Sequence, residues 1–150
     1  MSERSVHTMN ERIAEYQAQM ERIPEYQALR RRCAALKWPD TAEAVFAPEE
    51  LARLDEVYDF ANSAQKGQLR LSGEPYITHP IAVAQLLLDI GMYDFDCLTA
   101  ALLHDVAEDT KFGSKDIAAR FGATAGQMVE GLTKLSRMEF ASPELAQAQT

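Results

Sequence analysis

The sequence has few cysteines. Cys33 and Cys97 are the two it carries, and they form no Cys-x-x-Cys pair. That excludes a disulfide framework and a cysteine zinc site, and leaves buried or incidental thiols. It has no long apolar run either. The stretch Ile81 to Leu88 is interrupted by Gln85 and falls well short of the roughly 20 residues that span a bilayer. Met1-Ser2-Glu3-Arg4 lacks the apolar core of a signal peptide. The expected location is therefore the cytoplasm, with no membrane partner. Positive charge is scarce as well. Fifteen Lys and Arg stand against 23 Asp and Glu, a net charge of −8. This argues against DNA as a partner but permits a local basic pocket. Finally, no stretch alternates β-branched and polar residues between turn signals, which excludes a sheet-based fold.

What is present suits one folded, all-α domain of six to eight helices. A 150-residue chain with 47% hydrophobic and 25% charged residues can bury a core without staples. A short tandem repeat opens it: Glu11-Arg12-Ile13-Ala14-Glu15-Tyr16-Gln17-Ala18 is echoed by Glu21-Arg22-Ile23-Pro24-Glu25-Tyr26-Gln27-Ala28. Ile13, Tyr16, Met20 and Ile23 give a narrow apolar stripe, expected to pack on the domain or on a partner. Pro24 should kink or restart the helix. Arg30-Arg31-Arg32 reads as a solvated helix end rather than a phosphate site.

Pro48 with Glu49 and Glu50 marks the next helix start, and Leu51, Leu54, Val57, Tyr58, Ala61 and Ala64 form its inner face. Residues 66–76 read as a loop. Thr78-His79-Pro80 suggests another start, with Thr78 capping, and Gly91 a stop. Asp96 is a candidate cap for the next helix. Gly113-Ser114 begins a short helix that closes at Phe121-Gly122, and Thr124 to Gln127 fits a capping box. Ser142-Pro143 opens one more helix. The expected division is an N-terminal helical extension, 1–47, and a main domain, 48–150.

The chemistry concentrates in His104-Asp105-Val106-Ala107-Glu108-Asp109, which ends the apolar run Leu98 to Leu103. Ionisable groups so near a core cost several kcal/mol unless paired or metal-bound. On a helix, His104 and Glu108 share one face, and Asp105 and Asp109 the next. Imidazole and carboxylate together suit divalent transition metals. If the two helices around Gly91 pack antiparallel, His79 meets His104 and Asp105. Arg70, Ser72, Gly73, Glu74 and Tyr76 precede His79 and suit an anionic, phosphate-bearing ligand. These residues alone leave two readings open: a metal-dependent phosphohydrolase and a structural helical domain.

Three blocks resolve the choice by resemblance: Gly67 to Pro80, Ala100 to Thr110, and Gly131-Leu132-Thr133-Lys134-Leu135. In order and content they strongly resemble the N-terminal HD hydrolase domain of RelA/SpoT homologues, over roughly Leu54 to Thr150. The resemblance implies an all-α HD-domain helical bundle, incomplete at its C-terminus. It implies hydrolysis of the 3′-pyrophosphate of ppGpp or pppGpp with Mn²⁺. It further implies His79, His104 and Asp105 as metal ligands, and Glu108 and Asp109 as the catalytic acidic pair assisting the attacking water. Arg70 matches the arginine that packs on guanine, and Ser72 lies in the same nucleotide-binding loop. Gln65 and Leu71 depart from the family pattern, where His and a polar residue are usual. The family's fourth ligand, an aspartate in a later Leu-Ala-Asp-Arg segment, and the synthetase domain of such parents are not in this sequence. A non-catalytic, nucleotide-sensing fragment is the alternative function.

Overall fold

The computed structural model describes residues 8–141, with side chains through 135. Among the described residues there are seven helices: α1 (Met9–Glu21), α2 (Pro24–Ala35), α3 (Pro48–Ala64), α4 (Thr78–Asp89), α5 (Phe95–Asp109), α6 (Ser114–Phe121) and α7 (Ala123–Ala141). The only β-type pairings among them are two isolated bridges, Lys37 with Ala44 and Leu69 with Pro75. The all-α expectation is borne out. The helix expected from Ser142 lies outside the described residues.

Helix α5 is the axis of the core. Leu98, Thr99, Ala100, Ala101, Leu102, Leu103 and Val106 are all buried, so the helix is covered on nearly every side. Helices α3, α4 and α7 supply most of that cover. Six consecutive apolar or small residues leave no polar face to show to water, which forces a central position. The α6–α7 corner needs a glycine. A Cβ at Gly126 would stand 2.6 Å from the Ala118 Cβ, so α7 can cross α6 only without a side chain there.

Local signals set most helix ends. Pro24 and Pro48 stand in the first turns of α2 and α3, and the Glu50 carboxylate accepts the Ala47 N–H at 2.9 Å. Three starts differ from expectation. Asp94, not Asp96, caps α5 by accepting the Cys97 N–H at 3.0 Å. Thr78 does not cap α4; its hydroxyl donates to Pro75 O at 2.8 Å, inside the preceding turn. Thr124 lies inside α7, which begins directly after Gly122.

Helix α2 belongs to the same core. Tyr26, Leu29 and Cys33 are buried against α3 and α4, and Arg32 reaches Gln85 Oε1 at 2.8 Å and Asp89 at 2.7 Å. The three arginines thus do not form one solvated end: Arg30 and Arg32 hold α2 against its neighbours. Helix α1, in contrast, has no buried residue.

Candidate metal centre and the cavity beside it

The last turn of α5 carries Asp105, Glu108 and Asp109. Carboxylates at a helix C-terminus face the negative end of the dipole, at a cost of about 0.3–1 kcal/mol each. A cation among them would remove that penalty. His104 already supplies part of one. Its Nδ1 lies 3.4 Å from Asp105 Oδ1, and its Nε2 lies 3.3 Å from Glu108 Oε1. The hydrogen bond to Asp105 raises the His104 pKa above its ordinary value. Partial burial opposes that rise, and the charge of Glu108 adds to it. With a carboxylate at each ring nitrogen, the geometry favours imidazolium. A metal would have to displace that proton. One ligand atom from each of His104, Asp105 and Glu108 lies within 4.8 Å of the others, close enough for a single ion to be reached by all three. One nitrogen and two carboxylate oxygens are a donor set that suits a divalent transition metal.

The segment before α4 folds back as a small hairpin. Arg70 N–H donates to Glu74 O at 2.8 Å, Gly73 N–H to Arg70 O at 2.8 Å, and Tyr76 N–H to Gln68 O at 3.0 Å. Gly73 turns the tip with φ +92°, a conformation that side chains resist. The hairpin and the start of α4 border an open cavity of about 540 Å³ lined by Leu69, Arg70, Leu71, Ser72, Tyr76 and His79. Arg70 and Ser72 are exposed, and His79 is half-buried.

Tyr76 joins the cavity to α5. Burial first, then the charges of Asp105 and Asp109 and a hydrogen bond to Asp109, push its phenol up to about 12, against the opposing charge of Arg70. The start of α4 therefore faces the end of α5, the antiparallel arrangement expected around Gly91.

Two groupings emerge from the residues singled out in the sequence. His104, Asp105 and Glu108 form the compact set at the end of α5. Arg70, Ser72 and His79 line the cavity next to it. Among the described residues His79 is not part of the compact set, in which Glu108 is the third member. Asp109 is not part of that set either; its charge bears on Tyr76 instead. Sequence reasoning assigned Tyr76 no individual role, because only the chain's folding back brings it to Asp109. Gln65, at the foot of the hairpin, is also notable. It is buried, and its Oε1 and Nε2 have no partner among the described residues.

Known proteins give this arrangement a context. The chain is 45% identical over 105 residues to the bifunctional (p)ppGpp synthase/hydrolase SpoT of Escherichia coli K12, covering 69% of this chain and 15% of that protein. It is 40% identical over 110 residues to a guanosine-3′,5′-bis(diphosphate) 3′-pyrophosphohydrolase of Vibrio cholerae, covering 73% and 16%. A GTP pyrophosphokinase of Streptomyces antibioticus is 45% identical over 100 residues, covering 67% and 12%. The chain thus spans under a fifth of the length of these relatives. The resemblance to RelA/SpoT homologues is borne out at this level. Residues 58–150 match the HD domain family, and the chain belongs to that family.

Proposed function

We propose that the chain is the hydrolase-type HD part of a RelA/SpoT stringent-response protein, acting on ppGpp or pppGpp. The observation that carries this reading is the proximity of the His104–Asp105–Glu108 set to the Arg70–Ser72 cavity, whose wall residue Tyr76 lies close enough to Asp105 for its charge to raise the phenol pKa. The relatives' names supply the substrate class.

In this reading His104 and Asp105 hold Mn²⁺ with His79, as the resemblance implies, and Glu108 is close enough to join them. The ion would lower the pKa of a bound water, making it nucleophilic at neutral pH. The protein's own residues do the rest. Arg70 presents its guanidinium to the guanine face. Ser72 offers a hydroxyl donor to the nucleotide. Asp109, one residue past Glu108, accepts a proton from the attacking water or returns one to the departing 3′ oxygen. Water adds to the phosphorus attached at the 3′ oxygen, that P–O bond breaks, and pyrophosphate leaves with GDP or GTP as the other product. In a full-length parent, a synthetase domain is the expected neighbour.

The test is pyrophosphate release from ppGpp by the chain with Mn²⁺, beside His104→Ala. The reading expects release by the wild type and a loss of at least about 100-fold in the variant, in the range of removing an essential acid–base or metal group. No release from the wild type, or equal release from both, would sink it and leave a nucleotide-sensing role.

A further inference from the structure

Among the described helices, α1 alone has no buried residue. A helix of 13 residues with no tertiary cover is marginal in water, so a cover would stabilise it. Met9, Ile13, Tyr16 and Met20 stand exposed on it, spaced 4, 3 and 4. That spacing makes one apolar seam along the helix. It also reads the same in both directions. A second α1 laid antiparallel sets Met9 against Met20 of the second copy and Ile13 against Tyr16 of the second copy, and the reverse. The same register sets Asn10 near Gln17 and Arg12 near Gln19 across the pair, so no like charges meet beside the seam. Glu11, Glu15 and Glu21 fall outside it. A groove of about 560 Å³ continues the seam between the end of α1 and α2, and its walls include Gln19, Met20, Arg30, Arg31, Ala34 and Ala35. Arg30 is tied to Asp55, but Arg31 is exposed, as are both alanines. The rim is thus basic, whereas α1 carries three glutamates and one arginine.

We propose that α1 is a self-association surface: two copies of the chain pair through antiparallel α1 helices, each seating its Met9 end in the groove beside Met20 of the other. Both copies use the same patch, so the contact closes as a two-fold dimer. A parallel pair would instead gather Arg22, Arg30 and Arg31 of both copies at one end, and like charge opposes that. Thirteen residues make about 20 Å of helix. A contact of that length falls short of the roughly 1,200 Å² of a standard interface, so the dimer is weak. At low micromolar concentration the monomer with its exposed α1 prevails. The pairing uses neither α5 nor the hairpin before α4, so it stands apart from the hydrolase reading.

Sedimentation velocity of the full chain, from about 5 μM to about 1 mM, tests the pairing. The expected result is a monomer at the low end and a growing dimer fraction toward the high end. Ile13→Glu puts a charge at the centre of the seam and should weaken association at least about 30-fold, because that charge is buried only in the dimer. Ile13 lies outside the core, so far-ultraviolet circular dichroism should not change. A monomer at every concentration, or a dimer that Ile13→Glu leaves intact, overturns the proposal. The register is read separately. Chains carrying Met9→Cys should join chains carrying Met20→Cys through a short thiol cross-linker. Neither should join its own kind, since like positions lie about 16 Å apart along an antiparallel pair. The wild type, with Cys33 and Cys97, gives the background. Met9→Cys chains that join one another as readily as they join Met20→Cys chains overturn the antiparallel arrangement. Should Ile13→Glu lose helix, the cross-link still decides.

Discussion

The two copies of the repeat share seven of eight residues and have opposite fates. In the first, Tyr16 is 66% exposed and the whole segment is helical within α1. In the second, Tyr26 is 1% exposed and stacks on Tyr58 with centroids 4.0 Å apart. Its hydroxyl donates to Asp55 at 2.6 Å. Arg22 makes a forked contact with Asp59, at 3.0 and 2.8 Å, where Arg12 remains exposed. The docked copy is also bent differently: Arg22 and Ile23 are extended, and the helix resumes at Pro24. The residues of the repeat therefore do not decide burial. The residues on its C-terminal side do. Leu29 and Cys33, ten residues after Gln19 and Ile23, complete the buried face of α2. If the first copy took the second's place, Gln19 would fall at the fully buried site of Leu29. Burying an unpartnered amide there costs about 1–3 kcal/mol.

The largest difference should appear when each tyrosine is removed. Tyr26→Ala deletes a stacked ring and the shortest hydrogen bond to Asp55, leaving it only the longer hydrogen bonds from Arg30, and should destabilise the fold by about 3–5 kcal/mol. Tyr16→Ala should change stability by less than about 0.5 kcal/mol. Urea unfolding followed by far-ultraviolet circular dichroism measures both. Equal losses would mean that α1 is packed in solution, contrary to the exposure of Tyr16 in this structure.

A smaller gap is expected between the arginines. Arg22 is largely covered, but its partner Asp59 is half exposed, so solvent weakens the pair. The forked geometry and the nearby Asp55 still favour it, and Arg22→Ala should cost about 1 kcal/mol. Arg12→Ala should be neutral within error in the same unfolding experiment. Raising the salt concentration should narrow the Arg22 effect, because the exposed half of the pair is screened. A salt-independent loss would place the effect in lost packing of the arginine stem instead.

The same contrast separates what was legible in the sequence from what was not. Helix boundaries written in local chemistry were readable: Pro48 with its acids, Gly122 after Phe121, the break before Pro24. So was the i,i+4 pairing of His104 with Glu108, because helical period alone puts the two side chains together. Choices between neighbouring candidates were not. Asp94 caps α5 instead of Asp96 because the turn after Gly91 delivers it first, and Thr124 is absorbed into α7 because that helix starts at once after Gly122. Contacts that depend on folding back were also hidden. Nothing in residues 11–28 says which tyrosine meets Tyr58. Nothing near Tyr76 says that the charges of Asp105 and Asp109, about 30 positions on, will bear on its phenol.

The finest test erases the one difference inside the repeat. Pro24→Ala makes the second copy identical to the first. Proline holds Ile23 out of the helical region, since its ring crowds the preceding residue, and that keeps Arg22 and Ile23 extended. The extended pair is what turns Arg22 toward Asp59 and lets the Ile23 N–H face the Tyr58 hydroxyl at 3.4 Å. Alanine frees Ile23 to join α1 and α2 in one rod, yet Tyr26, Leu29 and Cys33 still hold α2 in the core. The two demands conflict over only two residues. The expected outcome is a docked α2 with a loss of about 0.5–1 kcal/mol, from a less restricted unfolded chain and a weaker Arg22 contact. Circular dichroism should show no gain in helix beyond those two residues. A large gain, with Tyr26 becoming accessible to a fluorescence quencher, would show that proline rather than the buried face of α2 selects the docked copy.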